Sequence, residues 1–262
     1  MEPQPEAPRT LARPDGGTIA YHRRQPLPEA RARGWPGVIF LGGFASDMGG
    51  TKATALDAFC AARGQAFLRF DYFGHGRSSG DLRDGTIGRW LEDALAVLDG
   101  LSEGPQILVG SSMGGWIALL AARARPQRLA GLVGIAAAPD FTEDLMWAAF
   151  DDEDRARLTR EGIITQTSRY GPTPYPITLR LIEEGRRHLL LRDAIPVSRP
   201  VRLLHGMEDP DVPWRTALTI AERLTGTDVV VSLVKDGDHR LSRPQDIERI
   251  CAAVAELSER RP

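Results

Sequence analysis

The chain has 262 residues and a mass of 28.7 kDa, with 42% hydrophobic and 26% charged residues, a formal charge of −2 and an isoelectric point near 6.2. These values suit one large folded core and exclude a disordered chain, and the lack of a basic excess argues against nucleic acid as a partner. No apolar run reaches the length of a bilayer span, so stable membrane insertion is not expected.

Residues 1–17 carry four prolines and two glutamates without an apolar stretch. They read as a flexible N-terminal arm, unlike a secretory signal or an arginine-rich transit peptide. From residue 18 onward, short apolar runs alternate with segments of helical periodicity, the pattern of βαβ units around a mostly parallel sheet. Strands are predicted at 18–24, 37–43, 66–72, 106–111, 129–137, 201–206 and 228–234. From 37 on they are apolar at consecutive positions, as expected when helices cover both faces. Helices are predicted at 51–64, with Gly64 as the residue that ends the helix, and at 86–101, 114–126, 217–226 and 245–260.

The rhythm breaks between 139 and 197, where an acidic cluster (DDED, 151–154), a proline-rich stretch (GPTPYP, 171–176) and two predicted helices occur. This segment reads as a cap or lid inserted into a core formed by 18–138 and 198–262. The two cysteines, Cys60 and Cys251, fit reduced thiols better than a disulfide framework, so a cytoplasmic setting is expected.

The segment ILVGSSMGGW places Gly110, Ser112 and Gly114 in a G-x-S-x-G pattern between a predicted strand and a predicted helix. That context is what gives the pattern meaning, because there the turn becomes a nucleophile elbow with the serine hydroxyl lifted above the sheet edge. Without a partner the same glycines would serve a tight turn that packs a helix on a strand or cradles a phosphate. A serine needs a base held by an acid, and in this chain order the acid follows a later strand and the histidine follows the last one. Asp209 and Asp211 lie just beyond the strand at 201–206, and His239 lies beyond the strand at 228–234, next to Asp238. The backbone N–H of Met113, directly after the serine, is one expected donor to an oxyanion, and a second is expected from the loop LGGFASDMGG. His22 and His188 read as surface residues and His205 as a polar anchor for the acid loop. No histidine spacing such as H-E-x-x-H calls for a metal.

On these residues the chain resembles the α/β-hydrolases over nearly its whole length. The segment His205-Gly206-x-x-Asp209-x-x-Val212-Pro213 is similar to the family's HGxxDxxVP segment and favours Asp209 as the acid. Matching Gly42-Gly43-Phe44 to the family's HG-x turn nominates the Phe44 N–H as the second donor, with Gly42 in place of the usual histidine. DYFGHGRSSG, with Asp71, Gly74, Gly76 and Ser78, resembles another recurring turn of this fold. Five blocks, GTKATALDAFC, LRFDYFGHGRSSG, PQILVGSSMGGW, RLLHGMEDPDVPW and DHR, further resemble the family of mitochondrial acyl-glucuronide esterases and palmitoyl-protein thioesterases.

The resemblance implies an α/β-hydrolase fold with a small helical cap and no cofactor. It implies a serine hydrolase that cleaves esters or thioesters, with Ser112, Asp209 and His239 as its triad and a small molecule or an acylated thiol as substrate. A carbon–carbon bond hydrolase or a perhydrolase would use the same triad, and a non-catalytic binding module would share only the fold. Trp116, Met146, Trp147 and Tyr175 are candidates to line an acyl site, each with membership of the core as its alternative.

Overall fold

The computed structural model describes residues 7–167, 169 and 174–260. In chain order the strands are β1 (Arg9–Ala12), β2 (Thr18–Arg24), β3 (Gly37–Leu41), β4 (Phe67–Phe70), β5 (Gln106–Ser111), β6 (Leu129–Ile135), β7 (Ile163–Gln166), β8 (Tyr175–Thr178), β9 (Val201–Gly206) and β10 (Val229–Val234). The helices are α1 (Pro28–Ala32), α2 (Thr51–Ala62), α3 (Ile87–Leu101), α4 (Met113–Ala124), α5 (Asp152–Glu161), α6 (Leu179–Gly185), α7 (Arg215–Arg223) and α8 (Pro244–Glu259).

Eight strands form one sheet in the order β1-β2-β4-β3-β5-β6-β9-β10. Pairing is antiparallel from β1 through β2 to β4 and parallel from β4 to β10. β3, β5 and β9 are buried at every position, which accounts for apolar residues at consecutive positions in each; the buried exceptions are polar, and Arg202 pairs with Glu256 and Asp228 while His205 bonds the acid loop. Their side chains still alternate between faces. Ile39, Leu41 and Leu108 point into a core shared with α3, α4 and α7, whereas Val38, Phe40, Ile107 and Val109 point into one shared with α2 and α8. α3 starts where the Thr86 hydroxyl accepts the Arg89 N–H, and α2 ends ahead of Gly64 at φ +65°, as the sequence predicts. Among the described residues no helix is long and apolar enough to cross a membrane.

Two expectations need correction. The arm over 1–17 is not loose throughout: Arg9–Ala12 pairs with Thr18–Tyr21 as an edge strand, while residues 1–6 lie outside the described residues. With only four residues and a largely exposed face, β1 carries no alternation that marks it. The segment between β6 and β9 is also not purely helical. It holds a wide helical turn at Thr142–Trp147, α5, α6 and an antiparallel pair, β7 and β8. Pro176 lies within β8, and a proline argues against a strand in a sequence reading. Of the proline-rich stretch, residues 171–173 lie outside the described residues.

This segment has a small core of its own, formed by Phe150, Leu158, Ile164, Ile177 and Ile182. At its stem the fully buried Asp140 accepts hydrogen bonds from the Leu190 N–H (2.8 Å), the Leu191 N–H (2.9 Å) and the Arg192 guanidinium (3.2 Å). One carboxylate thereby ties the two ends of the excursion together. Replacing Asp140 by alanine leaves both N–H groups without their acceptor, and urea unfolding should show a loss of about 2–4 kcal/mol with an unchanged m-value.

Candidate active site

β5 ends at Ser111 and α4 begins at Met113, so Ser112 alone makes the turn between them. Its backbone sits at φ +54°, ψ −118°, a region that costs a non-glycine residue on the order of 1–3 kcal/mol. Three hydrogen bonds hold it there: the Ser112 N–H donates to the Ile135 carbonyl (2.9 Å), and the Ser112 carbonyl accepts from Gly115 (2.9 Å) and Ala138 (3.1 Å). Glycine is required on both sides. A Cβ on Gly110 would run into the Gly114 carbonyl, and a Cβ on Gly114 would run into the Leu41 and Gly42 carbonyl oxygens at the end of β3.

The Ser112 hydroxyl oxygen lies 3.1 Å from His239 Nε2, and His239 Nδ1 lies 2.8 Å from Asp209 Oδ2. A carboxylate only accepts, so Nδ1 carries the imidazole proton and Nε2 presents a lone pair to the Ser112 O–H. The register between β9 and β10, with Gly206 opposite Val234, sets the acid loop beside the histidine loop. The Met207 N–H to Val234 carbonyl (2.8 Å) and Glu208 N–H to Gly237 carbonyl (2.9 Å) bonds then join the two loops. Lys52 on α2 donates to the Arg240 carbonyl at 2.5 Å, one residue beyond His239, and burial lowers its pKa to about 8. Nothing in the spacing of the sequence singles out this lysine.

The Asp209 side chain is fully buried. Its Oδ1 accepts from the Asp211 (2.8 Å) and Val212 (2.9 Å) N–H groups. His205 Nε2 lies 3.0 Å from the Val212 carbonyl and 3.2 Å from Asp209 Oδ2. The carbonyl can only accept, so this nitrogen is protonated and His205 anchors the acid loop as its sequence suggests. Burial pushes the Asp209 carboxyl up, but the hydrogen bonds from His205, His239 and the backbone outweigh it and hold the group well below the ordinary carboxylate range. The competing acids have other partners: Asp211 pairs with Arg169 (3.5 Å), and Asp238 accepts the Leu241 N–H (2.9 Å). Asp209, Asp211 and His239 do offer ligand atoms within 4.8 Å of one another, yet two of these atoms are bonded to each other in the arrangement above.

Facing the serine is the turn Gly43–Ser46, closed by the Ser46 N–H (3.3 Å) and hydroxyl (2.8 Å) donating to the Gly43 carbonyl. A Cβ on Gly43 would lie 3.6 Å from the Ser112 Cβ, so Phe44 follows directly on the serine's neighbour. The Phe44 ring meets Tyr175 edge-on at 5.4 Å, with Trp90 at 5.7 Å and Phe141 at 6.1 Å.

Of the four aromatic and thioether candidates, Tyr175 is therefore placed against the turn, and Met146 packs between the main core and the cap core. Trp116 is corrected to a core residue: it is fully buried and its indole N–H donates to the His188 carbonyl at 3.1 Å. Trp147 packs on the cap's own core, with the Arg186 guanidinium 5.0 Å above its ring. His188 is not a free surface histidine but bonds Glu184 at 2.5 Å.

A serine, a histidine and a carboxylate gathered at the carboxyl end of a parallel sheet, with the serine on a strained strand-to-helix turn, define the class of α/β-hydrolases. The sequence pattern of the α/β-hydrolase fold matches residues 36–169, and the chain belongs to this family. It is 42% identical to the mitochondrial palmitoyl-protein thioesterase ABHD10 of Bos taurus over 95% of this chain and 79% of that one.

Among solved structures, an Agrobacterium vitis S4 protein described as a hydrolase is 46% identical, with a TM-score of 0.90 over 96% of this chain and 98% of that one. Mouse α/β-hydrolase domain-containing protein 10 is 41% identical, with a TM-score of 0.86 over the same shares. The curated relatives are named as mitochondrial, and this overturns the cytoplasmic expectation. Free thiols speak to redox conditions rather than to an address.

Because Asp209 is depressed in the folded state, its ionisation stabilises the fold above the ordinary carboxylate pKa near 4, and this contribution is lost as pH falls below that value. The stability difference between the native chain and Asp209→Asn should be largest at neutral pH, on the order of 2 kcal/mol, and should shrink toward zero in acid. Denaturant titrations across pH check this.

Proposed function

We propose that the chain is a serine hydrolase that cleaves thioesters or carboxylic esters through an acyl-enzyme. The observation that carries this reading is the continuous hydrogen-bond line from the Ser112 hydroxyl through His239 to Asp209, at 3.1 and 2.8 Å. In the first half-reaction the Ser112 oxygen attacks the carbonyl carbon while its proton passes to His239 Nε2. Asp209 stabilises the resulting imidazolium, and the N–H groups of Phe44 and Met113 receive the oxyanion, the latter from the first position of α4 where the helix dipole favours negative charge.

Collapse of this intermediate breaks the bond to the thiol or alcohol, which takes the proton from Nε2. Water then attacks the acyl-serine carbonyl, giving one proton to Nε2 and releasing the acid as Ser112 recovers its hydrogen. An acyl chain attached to a thiol is the substrate that best suits the site, because Phe44, which follows the glycine facing the serine, packs with Phe141 and Tyr175 into an apolar group there, and the relatives are named for palmitoyl-protein thioesters.

Ser112→Ala should lower kcat on p-nitrophenyl and acyl-thioester substrates by about 10⁴- to 10⁶-fold and abolish labelling by a fluorophosphonate. Ser111→Ala should keep both. Labelling that persists in Ser112→Ala would defeat the assignment.

A further inference from the structure

The turn DYFGHGRSSG contains a histidine that the triad does not use. His75 is buried, and both ring nitrogens are engaged: Nδ1 lies 3.0 Å from the Phe73 carbonyl and Nε2 lies 3.1 Å from the Ala45 backbone nitrogen. The Phe73 carbonyl, which also accepts the Trp90 indole N–H at 3.1 Å, cannot donate, and the Ala45 N–H cannot accept. Chemistry therefore assigns a neutral ring with its proton on Nδ1 and a lone pair on Nε2. Burial acts in the same direction by lowering the ring's pKa.

Ala45 is the third residue of the Gly43–Ser46 turn and sits at φ +53°, a left-handed conformation that disfavours alanine by about 1–2 kcal/mol. Four-residue turns with negative and positive φ at this position differ by a flip of the central peptide, here Phe44–Ala45. Left to itself, an alanine would take the negative φ. His75 reverses that preference. In the observed orientation its lone pair receives the Ala45 N–H, whereas the flipped peptide would set the Phe44 carbonyl oxygen against the same lone pair.

We propose that His75 is a positioning residue for the oxyanion turn: by accepting the Ala45 N–H while its own Nδ1–H is tied to Phe73, it fixes the Phe44–Ala45 peptide, keeps the Phe44 carbonyl from swinging round, and tethers the Gly43–Ser46 turn so that the preceding peptide holds the Phe44 N–H toward the serine. This rests on the serine hydrolase reading above, with Phe44 as an oxyanion donor. The edge-on contacts of His75 with Trp90 (5.3 Å), Tyr72 (5.8 Å) and Phe44 (6.4 Å) hold the ring in the plane this requires. Asp71 secures the far end of the same loop by accepting the Met48 N–H at 2.7 Å.

The test compares His75→Phe, which keeps a ring but loses the acceptor, with His75→Gln, which restores an acceptor oxygen, on a p-nitrophenyl ester. His75→Phe should lower kcat about 10- to 100-fold with KM changed less than about twofold, a part of the ~10²–10³-fold cost of losing one donor outright. A trifluoromethyl ketone, which forms an oxyanion on the serine, should lose affinity by the same factor, and His75→Gln should recover to within about threefold of the parent. A His75→Phe enzyme with parental kcat and inhibitor affinity, still dependent on Ser112, would overturn this proposal alone. Parental turnover that survives Ser112→Ala would overturn the triad reading and this proposal with it. Should His75→Phe not fold, the imidazole ¹⁵N shifts of the parent decide: a neutral Nδ1–H ring supports the proposal, and a charged or Nε2–H ring overturns it.

Discussion

The site depends on how closely the first turn of α4 can approach the ends of β3 and β5. That approach is backbone against backbone, with Gly110 meeting Gly114 and Gly114 meeting the carbonyls of Leu41 and Gly42. Any side chain there would push the helix outward, and Ser112 would relax from its positive φ. Held by Ile135, Gly115 and Ala138, the serine instead keeps its hydroxyl above the sheet edge and the N–H of Met113 at the helix start. Backbone strain and the placement of the hydroxyl are here one arrangement.

Asp209 and His239 reach the serine because parallel strands deliver their following loops to the same end of the sheet. β6 and β9 pair in register, as do β9 and β10, so loops far apart in sequence emerge as neighbours. Asp209 can remain ionised without solvent because four donors surround it: His205, His239 and two backbone N–H groups. Removing water from that carboxylate strengthens its hold on the imidazole, an advantage the more exposed Asp211 lacks.

Much of this was legible in the sequence, because it follows from local rules. Consecutive apolar positions mark strands covered on both faces, G-x-S-x-G marks a sharp turn, and chain order points to His239 and to Asp209 or Asp211, between which the resemblance to the HGxxDxxVP segment favours Asp209. What could not be read depends on contacts between distant segments. His75 and Ala45 meet only when the turns after β3 and β4 fold together, and Lys52 reaches Arg240 only across the α2 face. Trp116 has the composition of a pocket residue, yet its indole N–H finds a carbonyl inside the core, a pairing that no periodicity announces. β1 and the β7–β8 pair escaped because four-residue strands hold too few positions to display a period.

The carboxylate at the stem of the cap has an implication for how such proteins diversify. Because Asp140 joins the first residues of the excursion to Leu190, Leu191 and Arg192, both ends leave the sheet from a single knot. Length and composition beyond the knot can change without tugging on β6 or β9, since enlarging a closed loop costs only about 0.6 kcal/mol for each doubling. Tyr175 on Phe44 and the His188 carbonyl on the Trp116 indole are then the points at which any altered excursion must still meet the core.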